Sequence, residues 1–244
     1  MGGKASIGGW LREKIRPFVQ PGVRYVEPFL GGAGSFAAVA PMFDRRAAGD
    51  AHPELIAMWR AVAAGWAPPL PIDVTREDYA RALAGEGEPH WRAWVLFGCS
   101  FGGKWRGGFH GFGPSLNKGK VTMVGATESL TKNRDLMAST DLRHCSFEAW
   151  DFGPGDVVYC DPPYTDTTSY SVDTPDPGPV FARWASTGAV VLVSEYAGRP
   201  GWSLIAEKVK RQTCMGTSRL RFERLYRVHP APRVAGQMSM LGAP

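Results

Sequence analysis

Apolar and polar residues follow two different spacings along this chain. Leu11, Ile15 and Phe18 recur at helical spacing before a Pro21-Gly22 stop, which predicts an amphipathic first helix. Short runs of β-forming residues predict strands at 23–27, 46–49, 142–147, 156–160 and 189–193. Helical patterns alternate with these runs at 35–39, around 55–59 and at 180–185. The alternation predicts an α/β fold with a doubly wound sheet.

The alternation of strands and helices stops between about residues 61 and 141. Prolines at positions 68, 69 and 71 are followed by helical patterns at 76–83 and 91–97. A loop at 101–120 then combines glycines, aromatic residues and basic residues. We therefore predict two parts, a main α/β domain formed by residues 1–60 and 141–244 and a small, mainly helical insertion at 61–140.

Composition limits the class of protein. The chain has 244 residues, of which 44% are hydrophobic and 21% charged, enough for one substantial core plus a small appended domain. No apolar run approaches the ~20 residues of a membrane span, and residues 1–7 lack the apolar stretch of a secretory signal. We therefore expect no membrane association and a cytoplasmic location. The net charge of +5 permits a polyanionic partner without requiring one.

Cysteine spacing gives no indication of a metal site. Cys99, Cys145, Cys160 and Cys214 are isolated in the sequence and form no Cys-x-x-Cys pair. His144 lies beside Cys145, but adjacent residues rarely share one metal ion, and nothing nearby completes a ligand set. We expect reduced, structural cysteines and no bound metal.

A glycine-rich turn follows the first predicted strand. Glu27 ends this strand, and the sequence Pro-Phe-Leu-Gly-Gly-Ala-Gly runs from there to Gly34. Glycines at such a turn allow the backbone to approach a ligand closely. The Glu27 carboxylate would repel a pyrophosphate but would suit the ammonium or sulfonium group of S-adenosylmethionine. No P-loop lysine follows Gly34, so the turn favours S-adenosylmethionine over NAD or ATP.

The second predicted strand ends at Asp50, which lies 23 positions after Glu27 in the sequence. An acidic residue at this place in a nucleotide-binding sheet hydrogen-bonds the hydroxyls of a ribose. The same residue could be a plain N-cap for the following helix, which carries Leu55, Ile56 and Trp59. The two roles are compatible.

The tetrapeptide Asp161-Pro162-Pro163-Tyr164 follows the predicted strand at 156–160. Its prolines fix φ and force Asp161 and Pro162 into extended conformations, which leaves a carboxylate and a carbonyl on a stiff support. Tyr164 adds a flat ring beside these two acceptors. Together they would fit a planar substrate that presents an amino group, such as adenine with its N6.

These motifs and their order resemble the DNA adenine methylase (Dam-like) family of N6-adenine-specific DNA methyltransferases, in its phage-type form. The resemblance is carried by Asp161 to Tyr164, by Glu-Pro-Phe-Leu-Gly-Gly-Ala-Gly-Ser from Glu27 onwards and by the segment that begins at Asp50. It departs at His52, where the family usually has Asn. The resemblance implies a Rossmann-like S-adenosylmethionine-dependent methyltransferase sheet with an inserted DNA-recognition domain.

The resemblance also implies roles for individual residues. Asp161, Pro162 and Tyr164 would be catalytic, and double-stranded DNA would be the partner of a monomer with no obligate protein partner. Cofactor contacts would come from Lys4, Glu27, Phe29, Gly31, Gly32, Gly34, Asp50, Ser146, Phe147 and Asp161. DNA contacts would come from Lys104, Trp105, Arg106 and Lys118.

Three other functions share part of this pattern. Methylation of cytosine N4 uses the same acceptors, although that family more often has Ser in place of Asp161. Methylation of an amine in RNA or protein is a weaker alternative. A non-catalytic DNA-binding module would need the basic loop but not the cofactor motifs. The sequence leaves open whether the role lies in restriction-modification, phage biology or regulation.

Overall fold

The computed structural model describes residues 4–110, 127–128, 130–162, 176–214 and 217–230. Its centre is one seven-stranded sheet with the order β3-β2-β1-β4-β5-β7-β6. The strands are β1 (Arg24–Glu27), β2 (Arg45–Asp50), β3 (Asp141–His144), β4 (Asp156–Cys160), β5 (Val190–Glu195), β6 (Trp202–Cys214) and β7 (Thr217–Val228). The first five pair in parallel, whereas β7 is antiparallel to both of its neighbours.

Seven α-helices lie wholly within the described part of the chain. They are α1 (Gly8–Ile15), α2 (Gly34–Val39), α3 (Pro53–Ala63), α4 (Arg76–Leu83), α5 (Pro89–Ala93), α6 (Arg134–Ala138) and α7 (Gly178–Ser186). A single π-helical turn, Trp94–Gly98, continues α5. Short 3-10 turns are formed by Lys4–Ile7, Arg16–Phe18, Ala40–Met42, Pro71–Asp73, Phe101–Gly103 and Phe147–Ala149.

The central strands β1, β4 and β5 are buried on both faces, as expected for parallel strands covered by helices. Successive side chains of a strand point to opposite faces. Val157 and Tyr159 of β4 accordingly lie in one core with residues of α1, α2 and α3. Val158 and Cys160 of β4 lie in a second core with residues of α7. The predicted doubly wound α/β fold is confirmed.

The segment between α3 and β3 has a small core of its own. Val74, Tyr79, Val95, Leu96 and Cys99 are all buried there, beneath α4 and the π-helical turn. Arg92 of α5 donates two hydrogen bonds to Glu54, at 2.6 and 3.0 Å, and so ties the segment to α3. The proposed domain boundaries at 60 and 141 stay a prediction.

Candidate active site

The carboxyl ends of β1 and β4 lie side by side at the centre of the sheet. From this point β2 and β3 continue the sheet on one side, and β5, β7 and β6 continue it on the other. Such a reversal of strand order opens a crevice beyond the carboxyl ends, where open α/β sheets bind ligands. Glu27 ends β1, and Asp161 directly follows β4. The fold therefore brings these two predicted site residues to one crevice.

The glycine turn after β1 is held against the end of β2. Leu30 N donates to Gly49 O at 2.8 Å, and Gly31 N donates to Asp50 Oδ2 at 2.9 Å. From the other side, Trp59 Nε1 of α3 donates to Gly31 O at 3.0 Å. Gly31 has φ of 49°, in the left-handed region where glycine carries no steric penalty. Three hydrogen bonds thus fix a turn whose backbone conformation favours glycine.

Asp50 is a structural clamp as well as a candidate ligand-binding residue. Its second oxygen, Oδ1, accepts from His52 N at 2.9 Å. The alternative interpretation of Asp50 as the N-cap of α3 is wrong, because His52 occupies that position and Pro53 begins the helix. Burial raises the pKa of Asp50, and the hydrogen bonds from His52 and Gly31 oppose that shift. A carboxylate can accept about four hydrogen bonds, so two lone pairs remain for a ligand.

Glu27 is almost completely buried, with 1% of its surface exposed. Its two oxygens accept hydrogen bonds from Tyr25 Oη at 2.7 Å and from Ser35 Oγ at 2.8 Å. Burial raises the pKa of Glu27 to about 8, although both hydrogen bonds act to lower it. The carboxyl group is therefore largely protonated at neutral pH. A cation bound in the crevice would favour its ionised form.

The first described residues pack tightly on α2. A Cβ atom at Gly34 would lie 2.7 Å from Ala5 N, and a Cβ atom at Gly8 would lie 2.7 Å from Ala38 Cβ. The absence of these two side chains lets the turn Lys4–Ile7 and α1 approach α2 closely. The contact directs Lys4 into the crevice, where its side chain is buried. Gly34 thus positions a predicted site residue by packing.

Lys4 lies between two carboxylates. Its Nζ is 2.7 Å from Glu223 Oε2 and 3.4 Å from Asp161 Oδ1. Burial acts to lower the pKa of Lys4, but the charge of Asp161 and the hydrogen bond and charge of Glu223 outweigh it, so the pKa is raised. Lys4 is therefore an ammonium ion. No local motif marks Glu223 in the sequence, since it lies 219 positions from Lys4.

Phe29 and Phe147 contact each other, with ring centroids 5.2 Å apart. Phe29 belongs to the glycine turn, whereas Phe147 begins a 3-10 turn after β3. The predicted strand at 142–147 was therefore too long, since β3 ends at His144. Ser146 is the N-cap of the 3-10 turn, and its Oγ accepts from Glu148 N at 3.4 Å. Phe29, Phe147 and Ser146 thus lie near the carboxyl ends of β1 and β3.

The basic loop begins beside the end of β2. The Trp105 ring lies 4.3 Å from the His52 ring and 4.8 Å from the Phe97 ring, measured between centroids. Lys104 and Arg106 on either side are exposed. Arg106 has φ of 54° and donates its N–H to Leu96 O at 3.1 Å. Packing of the Trp105 ring therefore anchors the loop. Its neighbours Lys104 and Arg106 are exposed to solvent near the crevice.

Of the remaining predicted site residues, the structure describes Pro162 and Gly32 but not Tyr164 and Lys118. Pro162 is buried directly after Asp161, and Gly32 lies in the glycine turn. Tyr164 and Lys118 lie outside the described residues. Among the described residues, no three His, Cys, Asp or Glu side chains could hold a metal ion. In the same residues no helix is long and apolar enough to cross a bilayer.

Comparison with known proteins gives one short sequence match. The chain is 44% identical over 41 residues to the Type II methyltransferase M.CviBI of Paramecium bursaria Chlorella virus NC1A. That match covers 17% of this chain and 16% of the viral protein, well under two thirds of its length. No protein-family model matches the chain.

The chain also has a distant likeness to solved structures, at low sequence identity. An S-adenosylmethionine-dependent methyltransferase from Agrobacterium tumefaciens is 10% identical with a TM-score of 0.43, over 93% of this chain and 62% of that one. Another from Clostridium acetobutylicum is 11% identical with a TM-score of 0.37, over 94% of this chain and 76% of that one. Neither likeness is strong enough to identify a function, which depends on the geometry of the crevice.

Proposed function

We propose that this protein transfers a methyl group from S-adenosylmethionine to N6 of an adenine in double-stranded DNA. The observation that carries the proposal is the meeting of β1 and β4, which places Asp161 and Pro162 beside the glycine turn. The short similarity to a viral Type II methyltransferase supports methyl transfer as the chemistry. The choice of adenine N6 rests on the acceptors at Asp161 and on the resemblance of its motif.

The residues of the crevice fit S-adenosylmethionine. This cofactor has ribose hydroxyls, a planar adenine and positive charge, and when bound it supplies an activated methyl group. Asp50 keeps two lone pairs for ribose hydroxyls, and the rings of Phe29 and Phe147 lie near the end of the same sheet. The buried carboxyl of Glu27 would gain a compensating charge from a bound cation. Lys4, Ser146 and the glycines of the turn complete the proposed cofactor contacts.

Asp161 and the Pro162 carbonyl act on the target amino group. The lone pair of adenine N6 is conjugated with the ring and is a poor nucleophile. Two acceptors that bind both N6 hydrogens favour a pyramidal nitrogen, whose lone pair is available for attack. Asp161 therefore contributes by holding hydrogen bonds in the transition state, and it need not be a strong base.

The target base must leave the duplex to reach a crevice of this kind. Flipping a base costs a few kcal/mol, part of which stacking on an aromatic ring such as Tyr164 offsets. The exposed Lys104 and Arg106 would bind the DNA backbone or base edges beside the site. The insertion would thus hold the duplex while the sheet holds the cofactor and the extruded base.

Analysis of the methylated nucleoside tests the proposal. The protein is incubated with S-adenosylmethionine carrying a labelled methyl group and with mixed-sequence duplex DNA, which is then digested to nucleosides. We expect the label in N6-methyldeoxyadenosine. Label in N4-methyldeoxycytidine would show that the target is cytosine N4 and not adenine N6. Absence of label from all nucleosides would contradict the proposed methyltransferase activity.

The variant Asp161→Ala tests the catalytic assignment in the same assay. Turnover should be abolished while the fold survives, because β4 and both prolines remain. Asp135→Ala is the matched control, since it removes an exposed carboxylate from α6. Near wild-type methylation by a folded Asp161→Ala protein would contradict the assigned role.

A further inference from the structure

Positive charge is concentrated in the last two strands of the chain. The sequence from Trp202 to Val228, which contains β6 and β7, has seven basic and two acidic residues and therefore a net charge of +5. The whole chain, with 28 basic and 23 acidic residues, has the same net charge, so the rest of the chain sums to zero. Charge concentrated in this way indicates a polyanionic partner. The seven cations are Lys208, Lys210, Arg211, Arg219, Arg221, Arg224 and Arg227.

Strands β6 and β7 extend beyond the carboxyl edge of the sheet. Glu195, the last residue of β5, pairs with Arg224 of β7. Past this level seven further residue pairs join 208–214 of β6 to 217–223 of β7, and we call this part of the two strands the arm. At about 3.3 Å per residue, the arm is about 23 Å long. Among the described strands none adds a third to the arm, and an isolated two-stranded hairpin is only marginally stable in water.

The arm begins at the candidate active site. Glu223, the residue of the arm next to Arg224, has its Oε2 2.7 Å from Lys4 Nζ, and the same Nζ is 3.4 Å from Asp161 Oδ1. The basic loop anchored by Trp105 lies across the crevice, beside the end of β2. A duplex whose extruded base enters the crevice would therefore have a basic element on each side.

One face of the arm carries exposed apolar side chains. Val209 and Phe222 are cross-strand partners and are 52% and 38% exposed, and Leu220 is 59% exposed. Residues two apart on a strand share a face, so these three side chains form one apolar strip. An exposed apolar strip marks an interaction surface. A second copy of the chain would bring a second positively charged arm to this surface, whereas DNA offers phosphates and also apolar thymine methyl groups.

We propose that the arm is a second DNA-binding element, which lies against the duplex while the target base occupies the crevice. Its cations contact phosphates, and its apolar strip faces the major groove, whose width of about 12 Å admits a two-stranded ribbon. The proposal rests on the proposed function and adds to it a DNA-contacting surface on the opposite side of the crevice from the basic loop.

Salt titration of DNA binding by the double variant Lys210→Gln with Arg221→Gln tests the proposal. The two residues are cross-strand partners in the arm, and each substitution removes one positive charge. The salt slope should fall by about 2, so the loss of affinity between about 50 and 200 mM salt should be about tenfold smaller than in the wild type. Binding should weaken alike on a duplex that the protein methylates and on a scrambled one. Affinity for S-adenosylmethionine should not change.

Arg16→Gln with Arg45→Gln is the matched control, because it removes the same charge from the opposite edge of the sheet. Arg45 begins β2, and Arg16 precedes Pro17, which lines a cavity with Asp156, the first residue of β4. Both arginines are exposed. The control should keep the salt slope of the wild type, and circular dichroism verifies that each variant is folded. Equal losses in the two double variants would show that net charge alone binds DNA and would refute the role of the arm.

Photo-cross-linking supplies a test that leaves every charge in place and serves also if the charge variants do not fold. Phe222→p-benzoylphenylalanine keeps an aromatic ring and should cross-link to bound duplex DNA. The same substitution at Leu204 is the control, since Leu204 is 54% exposed but pairs with Tyr226, at the level of β5 rather than in the arm. Equal yields of DNA cross-links at the two positions would contradict the proposal. Cross-links from position 222 only to a second copy of the chain would replace DNA by self-association.

Binding and methylation together separate this proposal from the proposed function. A wild type that methylates DNA, with arm variants that bind DNA equally well, would overturn the arm alone. A wild type that binds DNA through the arm but methylates none would overturn methyl transfer to DNA and leave the arm supported. A wild type that binds no duplex DNA, or prefers an RNA duplex of the same sequence, would overturn both.

Discussion

Burial raises the pKa of two carboxyl groups at the crevice. Glu27 has almost no solvent contact to stabilise a negative charge, so burial raises its pKa to about 8. Asp50 is half-buried, and two backbone N–H groups donate to it and oppose the upward shift of its pKa. The structure therefore assigns one carboxyl, at Glu27, to be mostly neutral before a cation binds.

The raised pKa of Glu27 predicts that stability falls as pH rises. An unfolded chain releases this proton near pH 4.5, whereas the folded chain keeps it up to about pH 8. Between these values the folded state binds more protons, so the free energy of unfolding decreases by as much as about 1 kcal/mol per pH unit. Glu27→Gln removes this contribution and should flatten the dependence of Tm on pH between 5 and 8.

Thermal unfolding across that pH range, in wild type and Glu27→Gln, measures the effect. The two curves should converge or cross as pH rises, since the wild type alone loses the contribution. Parallel curves would show that the pKa of Glu27 lies near its ordinary value.

Asp50→Ala should weaken both the fold and cofactor binding. The change leaves Gly31 N and His52 N without their acceptor, and it removes the lone pairs assigned to the ribose. We expect cofactor binding to lose roughly 1.5–3 kcal/mol, the range for hydrogen bonds to a charged group. Isothermal titration with S-adenosylmethionine provides the measurement, and an unchanged Kd would leave Asp50 only its role as a clamp.

At the scale of elements, the close approach of the first turn to α2 depends on Gly34. In Gly34→Ala the new Cβ would meet the backbone at Ala5 N, 2.7 Å away, and backbone cannot yield as a flexible side chain can. We expect a loss of about 1–3 kcal/mol in stability, as for other overpacked sites. The rate of methylation should fall even under conditions in which the variant remains folded, because Lys4 moves with the displaced turn.

Gly9→Ala is the control for this prediction. Gly9 lies in α1, and a Cβ atom added there would have nothing within 4 Å of it, so the new methyl group meets open space. The substitution should stabilise the protein by up to about 1 kcal/mol through helix propensity. Urea unfolding of both variants measures the difference, and equal stabilities would refute the role of the close contact.

Local sequence predicts elements with a buried face and fails for those without one. Helix α4 and strand β4 have the predicted bounds, 76–83 and 156–160. Tyr79 and Ala82 of α4 are buried three positions apart, and residues 157–160 of β4 form a continuous run of buried residues. Strand β6 was not predicted, since Leu204 and Val209 on it are more than half exposed and give no clear alternation. Strand β5 extends two residues beyond its predicted end, through pairing of Ser194 and Glu195 with β7.

Local sequence also identified only part of the candidate site. The glycine turn, Asp50 and Asp161 follow strands directly, so strand prediction is enough to place them at one edge of the sheet. The partners of Glu27 and Lys4 are set by tertiary packing instead. Ser35 reaches Glu27 from α2, and Glu223 reaches Lys4 from the other end of the chain. No spacing rule connects such residues.

At the scale of the whole molecule, the insertion and the sheet meet at an aromatic contact. Trp105 packs on His52, the residue that follows the end of β2 by two positions and donates its N–H to Asp50. Lys104 and Arg106 are therefore held at a defined place relative to the proposed cofactor site. DNA bound by this loop would lie close to the crevice that receives the target base.

Lys104 and Arg106 are the two charges that this loop would bring to DNA. If Lys104 and Arg106 contact phosphates, replacing both with Ala should weaken DNA binding for all sequences and lower the salt slope by about 2. Cofactor affinity should not change. The left-handed φ of Arg106 is as unfavourable for Ala as for Arg, so the substitution removes charge without relieving strain. Salt titrations on two duplexes, one methylated by the protein and one scrambled, give both quantities.

The single variants separate backbone contact from base recognition. Lys104 carries a flexible point charge suited to phosphate, so Lys104→Ala should lower affinity equally on both duplexes. Arg106 has a rigid fork that can pair with guanine, so Arg106→Ala should cost ~1–3 kcal/mol chiefly on the cognate duplex. Arg12→Ala with Lys14→Ala removes the same charge from α1 and is the control. If the control weakens DNA binding as much as the loop variants do, only the net charge of the protein matters. If the loop variants bind DNA as the wild type does, DNA recognition lies elsewhere.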